Sequence, residues 1–426
     1  MSIESIKLPV ADLTMGMVVV KLDRPWLETP FKMQGFKIAT PGEIRQLATY
    51  CQHVYVDIGR GVVPPIGKGQ RVLLDEAGEI VNLSGVIGLT APRARAVTDY
   101  ALPPPAHDYA IASTFDDELP QARAAMAETK TAMQQLTARL AAAEPAELEV
   151  VKAAVSALED SVLRNPDPAL LLRALVAREP FSLRHCVNSA VLAITIAREL
   201  GLRRQAIHEL AMGVLLADIG KLRLPRELLR TTRRLTRREN EVMQQHVAHG
   251  VEMAKALGSL TPGTIAIIRT HHERFNGSGY PEGLVGGELP LATRVAGLAD
   301  SFDALTSERA YAAAVPLHEA TQELYAATVE LFQRDLVERF LQALGTYPVG
   351  SVVALSDGSL ALVLAQNRQR RLLPRVLCLT DGARQPLPQP VARDLMQGGG
   401  RPLTVREVVD PLAVGLPRPA VGLLPQ

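Results

Sequence analysis

The chain has 426 residues, a formal net charge of +1 and three cysteines, Cys51, Cys186 and Cys378. That length suggests two to three domains, and a near-neutral balance excludes a broadly basic surface for nucleic acid. The cysteines are isolated and lack CxxC spacing, which excludes a disulfide framework and a thiolate zinc site and fits a reducing, cytoplasmic setting.

Hydrophobic residues make up 47% of the chain but aromatics only 4%, so the core must be built from Leu, Val and Ala, a composition that favours helix. The N-terminus has no basic segment followed by an apolar one, so no signal peptide is read. No apolar run reaches the roughly 18 residues of a membrane span.

In chain order, residues 1–62 read as a small α+β module. IKLPVADL, GMVVVKLD and HVYVDIG are short strand-like runs, with Val54 and Val56 on one face and Tyr55 on the other. Pro41 to Cys51 predicts a helix with Thr40 as N-cap and Glu43 completing a capping box. Residues 63–116 are rich in Pro and Gly and predict a linker, while 117–165 repeat apolar residues every three or four positions, as amphipathic connecting or dimerising helices do. Residues 166–345 carry helical patterning almost throughout. Residues 346–397 change to a β pattern, with a hairpin around Asp357-Gly358 and a further strand at Arg375–Leu379, and 398–426 read as a flexible tail.

Six of the nine histidines fall between His185 and His272. His185, His246 and the adjacent His271-His272 stand out, together with Asp218 in LLADIGK and Asp300 in VAGLADSFDAL. Neutral imidazoles and carboxylates are the donors that divalent Zn, Mn and Fe accept, and a carboxylate can bridge two ions set up for in-line phosphoryl displacement. Each residue alone is more ordinarily a core or surface side chain. His208 and His318 have no supporting pattern, and Asp300 and Asp303 can as well pair with Arg294 or Arg309. Two features favour the site. Neighbouring histidines serve one cluster most easily at a helix end, which the Gly277-Ser278-Gly279 turn supplies. Lys221, three residues after Asp218, is placed to meet a phosphate as a point charge.

From His185 to Tyr311 the chain resembles the HD-GYP domains, metal-dependent phosphohydrolases that hydrolyse cyclic di-GMP. The resemblance rests on HHERFNGSGYPEGLVGGELP (His271 to Pro290), the ADIGK block, His246 followed by Gly250, and the block from Ala292 to Tyr311. The first 60 or so residues resemble a module often placed before such domains. The resemblance implies a mainly α fold, a helical bundle flanked by the N-terminal α+β and C-terminal β modules. It implies two divalent ions, Fe or Mn, held by His185, Asp218 as bridging carboxylate, His246, His271, His272 and Asp300. Lys221 would contact the scissile phosphate, Arg309 the substrate, and the Gly279-Tyr280-Pro281 loop would line the site and meet signalling partners of the diguanylate-cyclase type. A homodimer is a further expectation.

The sequence also departs from the family. The His of the His-Asp pair is Ala217, Asn276 stands at a usual Asp, and Ala310 and Ala312 flank Tyr311. Phe181 removes the carboxylate of three-metal members. The set His246, His271, His272 and Asp218 is complete, whereas the ion held by His185, Asp218 and Asp300 lacks one ligand. Two functions follow as alternatives: a cyclic di-GMP phosphodiesterase weakened at Ala217, or a degenerate domain that binds cyclic di-GMP or a protein partner without turnover.

Overall fold

The computed structural model describes residues 3–24, 29, 36–61, 70–74, 80–81, 101–175, 181–233, 235–308, 314–326, 331–397, 403–419 and 423. The chain divides into two compact units, residues 1–89 and 90–426. Among the described residues it is mainly helical, with a small β-sheet at each end.

Among the described residues, the first unit is a six-stranded sheet, with strand order β3-β2-β4-β1-β5-β6, carrying one α-helix. β1 (Ile3–Pro9) lies between β4 (His53–Gly61) and β5 (Gln70–Leu74), antiparallel to both. β2 (Met17–Leu22) joins β4 to β3 (Phe36–Lys37), and β6 (Ile80–Val81) lies outside β5. Alternation sends Ile6, Leu8, Val19, Val54 and Val56 into one core with Leu47 of α1 (Pro41–Tyr50). Tyr55 points to the opposite face, where the Lys21 ammonium lies 5.7 Å from its ring centroid. The α1 N-terminus is capped as the sequence predicts: Thr40 Oγ1 accepts the Glu43 N–H, and the Glu43 carboxylate accepts the Thr40 N–H at 2.9 Å.

The second unit holds the helices α2 (Phe115–Ala141), α3 (Glu149–Arg164), α4 (Pro166–Ala174), α5 (Phe181–Glu199), α6 (Arg204–Leu216), α7 (Arg226–Leu229), α8 (Arg237–Ala256), α9 (Pro262–Thr270), α10 (Leu291–Thr306), α11 (Leu317–Ala326) and α12 (Arg334–Leu344). α5 is the central rod. From His185 to Arg198 every residue is buried, as expected for a helix surrounded by others. α2, α3, α6, α10 and α12 pack around it. Each aliphatic side chain buried here, such as Leu192, Ile194 and Ile196, contributes about 1.5–3 kcal/mol.

Three segments differ from their sequence reading. Within the expected linker, β5 and β6 are strands that extend the first sheet from the edge of β1. Their runs are too short for a period, and an open strand edge recruits them through backbone hydrogen bonds. Residues 101–114 are also fixed: Ala106 and His107 donate N–H to Gly201 O, and Tyr109 Oη donates to Leu202 O at 2.8 Å. α2 and α3, expected to connect or dimerise, bury their apolar stripes inside the bundle. There the Arg164 guanidinium meets the buried Glu118 carboxylate through two 2.8 Å bonds. In the expected tail, β11 (Val405–Val409) pairs with β7 (Val352–Leu355) in a second antiparallel sheet of order β10-β9-β8-β7-β11.

That sheet also holds β8 (Leu360–Ala365), β9 (Arg375–Thr380) and β10 (Pro386–Asp394). The β7–β8 hairpin turns where the sequence predicts, with Gly358 at φ +93° and Asp357 Oδ1 accepting the Ser359 N–H. β8 is buried along its whole length because α4 covers it, and Gln366 N–H donates to Asp167 Oδ2 of α4 at 2.9 Å. Among the described residues no helix is long and apolar enough to cross a membrane.

Candidate metal centre

α6 ends at Leu216 with Ala217 as its C-cap, and the next residue, Asp218, is the N-cap of a 3-10 turn (Ile219–Arg223). α8 can lie against this turn only because position 220 is glycine: a Cβ there would stand 1.9 Å from His246 O and 2.4 Å from Gly250 N. This contact brings His246 Nε2 to 3.5 Å from Asp218 Oδ1. α9 stops at Thr270 with His271 as its C-cap, so the two histidines that follow leave the helical spiral and reach one cluster. His271 Nε2 lies 3.5 Å from His246 Nε2 and 4.0 Å from Asp218 Oδ1.

One donor atom from each of Asp218, His246, His271 and His272 lies within 4.8 Å of the others. Donors sharing an ion at about 2.0–2.2 Å stand at most about 4.4 Å apart, so a small inward movement closes the set. The imidazole chemistry fits as well. His246 Nδ1 lies 2.7 Å from Met243 O and His271 Nδ1 2.9 Å from Ile268 O, so each Nδ1 carries the proton and each Nε2 presents a lone pair. His272 Nδ1 is buried without a hydrogen-bond partner, an orphaned donor atom of the kind an ion satisfies. Burial holds His246 down to about 4, lowers His271, and takes His272 well below the usual histidine range. Burial opposes the charge on Asp218, but Lys221 and the surrounding imidazoles outweigh it and hold the carboxyl well below the usual range. Three neutral imidazoles beside a carboxylate are what a divalent ion requires.

His185 and Asp300 form a second group beside the first. His185 Nε2 lies 2.9 Å from Asp300 Oδ1, and Nδ1 lies 2.8 Å from Asp303 Oδ2. Burial alone would push the His185 imidazole down, but the two carboxylates raise it to about 9, and Asp300 is in turn held at about 2. A small cavity of about 10 Å³ separates the two groups, lined by Ala217, Asp218, His271, His185 and Asp300 among others. It is about the size of one water.

A solved HDGYP protein from Bdellovibrio bacteriovorus aligns with 80% of this chain and 99% of its own, at 16% identity and a TM-score of 0.46. Among curated proteins, a cyclic di-GMP phosphodiesterase of Pseudomonas aeruginosa is 28% identical over 396 residues, covering 92% of this chain and 89% of that protein. A cyclic di-GMP phosphodiesterase of Thermotoga maritima is 36% identical over 37% of this chain and 44% of its own length. A cyclic di-GMP phosphodiesterase response regulator of Xanthomonas campestris is 34% identical over 40% of this chain and 46% of its own. The chain thus spans most of the first relative and under half of the other two. Residues 5–151 match a family described as a domain of unknown function, and residues 169–335 match the HD domain. The HD-domain match thus covers the segment from α4 to the start of α12, which carries every residue of this cluster.

Within the HD domain, the loop after the histidine pair is fastened to it. Glu273, buried, accepts three backbone N–H groups, from Glu282 at 2.7 Å, Gly283 at 3.1 Å and Leu284 at 3.0 Å. A Cβ on Gly279 would meet the backbone of His272, Glu273 and Arg274 at 2.4 Å, so only glycine lets the loop lie this close. The Tyr280 ring then stacks on His272 with centroids 4.6 Å apart. Arg274 is 1% exposed, donates to His271 O and to Ser301 Oγ, and so ties the end of α9 to the helix bearing Asp300.

The HD domain thus brings together Asp218, His246, His271 and His272, with His185 and Asp300 in the adjoining group. Lys221 sits on Asp218 at 2.6 Å, Tyr280 lies on the cluster, and Arg309 falls outside the described residues, as do Ala310 and Ala312. Asp303 pairs with Arg173 and His185 rather than with Arg294. Asn276 Oδ1 accepts the Ser278 N–H at 2.9 Å, an acceptor role that Asn performs as well as Asp, so this departure leaves the turn intact. Sequence reading overlooked Glu273, Arg274 and Arg173. The one signal available for Glu273 was its place beside the histidine pair in the quoted motif; Arg274 and the distant Arg173 had none.

Proposed function

We propose that this chain hydrolyses the phosphodiester bond of cyclic di-GMP with two divalent ions, Fe or Mn. The observation that carries the reading is the cluster of Asp218, His246, His271 and His272, buried or half-buried and poised as neutral imidazoles around a carboxylate. These four residues would hold one ion. His185, Asp300 and the second oxygen of Asp218 would hold the other, with three protein donors instead of four because position 217 is alanine. Bound divalent ions supply activation of water and stabilisation of charge on a phosphoryl oxygen.

The chain's own residues do the rest. Lys221, on the 3-10 turn and 31% exposed at its side chain, leaves Asp218 to meet the scissile phosphate. Arg309 binds a substrate phosphate or base. Tyr280, held by Glu273 through the loop, walls the cluster on the His272 side and limits water there. The exposed Pro281 and Glu282 on that loop support it as the surface for a signalling partner. The curated relatives named above, cyclic di-GMP phosphodiesterases, support the choice of substrate.

The test is to prepare the full chain under reducing conditions, count bound metal per chain, and assay cyclic di-GMP with added Mn or Fe. Two ions and turnover that Asp218→Ala abolishes support the proposal. At most one ion, no turnover, and tight nucleotide binding would replace it with a binding regulator.

A further inference from the structure

Asp303 is fully buried on α10, one turn after Asp300, and gathers three partners. Its Oδ2 faces His185 Nδ1 at 2.8 Å and accepts from Ser307 Oγ at 3.2 Å, and its Oδ1 accepts from Arg173 Nη1 at 3.1 Å. Arg173 is fixed in turn, donating to Thr306 Oγ1 at 3.1 Å and lying over the Phe302 ring at 5.5 Å. The carboxylate therefore cannot turn away from the imidazole without stranding a buried guanidinium.

We infer that Asp303 is the positioning residue of the second metal position, aiming His185 Nε2 at the cavity beside Ala217 and Asp218. This inference rests on the two-ion reading above. A carboxylate on Nδ1 keeps the proton there and raises the basicity of the ring, so Nε2, which faces Asp300 Oδ1 in the ion-free chain, is the nitrogen that would give up its proton to an ion. Asp300 and Asp303, three residues apart on one helix face, grip both nitrogens of a single imidazole. The arrangement matters more in this chain than in one with histidine at 217. Three donors must hold the ion here, so each has to be set in place before the ion arrives.

Asp303→Asn keeps the shape but offers Arg173 or His185 an amide N–H where each needs an acceptor. If that variant does not fold, the double variant Arg173→Met with Asp303→Leu removes the buried charge pair as a unit, a replacement that folds commonly tolerate. The chelator-stripped full chain is titrated with Mn²⁺ and followed by electron paramagnetic resonance. Two ions sharing Asp218 give a spin-coupled signal, and one ion gives a six-line spectrum. The wild type is expected to reach the coupled signal. The variants are expected to bind the first ion normally and to need about 10–100-fold more Mn²⁺ for the second. A folded variant that forms the coupled pair at the wild-type concentration overturns the role of Asp303 and leaves the two-ion reading standing. A wild type that never couples overturns both.

Discussion

The Lys221 ammonium lies 2.6 Å from Asp218 Oδ2, on the same carboxylate whose Oδ1 faces His246 Nε2 at 3.5 Å. One residue thus binds a cation of the protein on one oxygen and presents the other to the imidazole cluster. Were Asp218 to serve a second divalent ion as well, Lys221 would have to leave this carboxylate, and its ammonium would then be available to a phosphate. Lys221→Met should therefore split two readouts. Metal affinity should hold or rise severalfold, because a competing charge is gone. Turnover of cyclic di-GMP should fall about 10²–10³-fold, the usual cost of one lost phosphate-stabilising donor. Metal titration and steady-state kinetics on the same preparation check this, and a parallel fall in both would show Lys221 to be a structural partner of Asp218 alone.

Gly220 sets the distance between the Asp218 turn and α8. Adding one methyl group there places a Cβ 1.9 Å from His246 O, and the clash is with backbone that cannot rotate away. Gly220→Ala should cost at least about 3 kcal/mol and weaken metal binding, because His246 and Asp218 must separate. Gly42→Ala in α1 is the control. Its Cβ would meet Thr40 Oγ1 at 3.6 Å, an ordinary contact, so chemical denaturation should show no loss. Equal midpoints for the two variants would contradict the packing argument.

Asp167 on α4 gives the chain a pH-dependent clasp to the end of β8. Its carboxyl accepts the Gln366 N–H, and burial raises it to about 6 despite that bond. The folded value exceeds the ordinary 3.8, so the folded chain binds the proton more tightly than the unfolded one. The resulting stabilisation is complete below about pH 4 and is lost as the pH rises through about 6. Asp167→Asn keeps an acceptor for Gln366 and removes the titration. At pH 8 it should be the more stable chain by on the order of 3 kcal/mol, with the advantage shrinking toward pH 4. Thermal melts across that range measure it, and a pH-independent difference would show that the carboxyl does not titrate there.

Local signals carried well from sequence to structure. The Thr40–Glu43 capping box, the Asp357-Gly358 turn and the histidine pair at the end of α9 each depend on residues within a few positions of one another, and each stands as read. What failed was non-local. Gln70–Leu74 becomes a strand because the edge of β1 is open to it, and Val405–Val409 because β7 is. No period in either segment encodes a partner so distant along the chain. The same holds inside the site. Asp303 reads as a helix carboxylate until folding brings Arg173, 130 residues earlier, against it. Arg274 reads as a surface charge until α10 and Phe332 close over it.

The replacement at position 217 yields the most direct test of how the two half-sites divide the work. Ala217 is buried at the end of α6 and lines the small cavity that Asp218, His185 and Asp300 also line. An imidazole exceeds that space, so Ala217→His should destabilise the metal-free chain by about 1–3 kcal/mol. Metal should reverse the order. A fourth donor beside Asp218 converts a three-donor position into a four-donor one, and second-ion affinity should rise at least about tenfold, with turnover at limiting Mn²⁺ rising alongside it. First-ion affinity should stay unchanged, because His246, His271 and His272 approach from α8 and α9 rather than from α6. Melting temperatures with and without Mn²⁺ then cross between wild type and variant. A variant that remains less stable at saturating metal, with the second affinity unmoved, would mean that residue 217 does not face the second ion, and the weakness of this half-site would have to be sought in the His185–Asp300 contact.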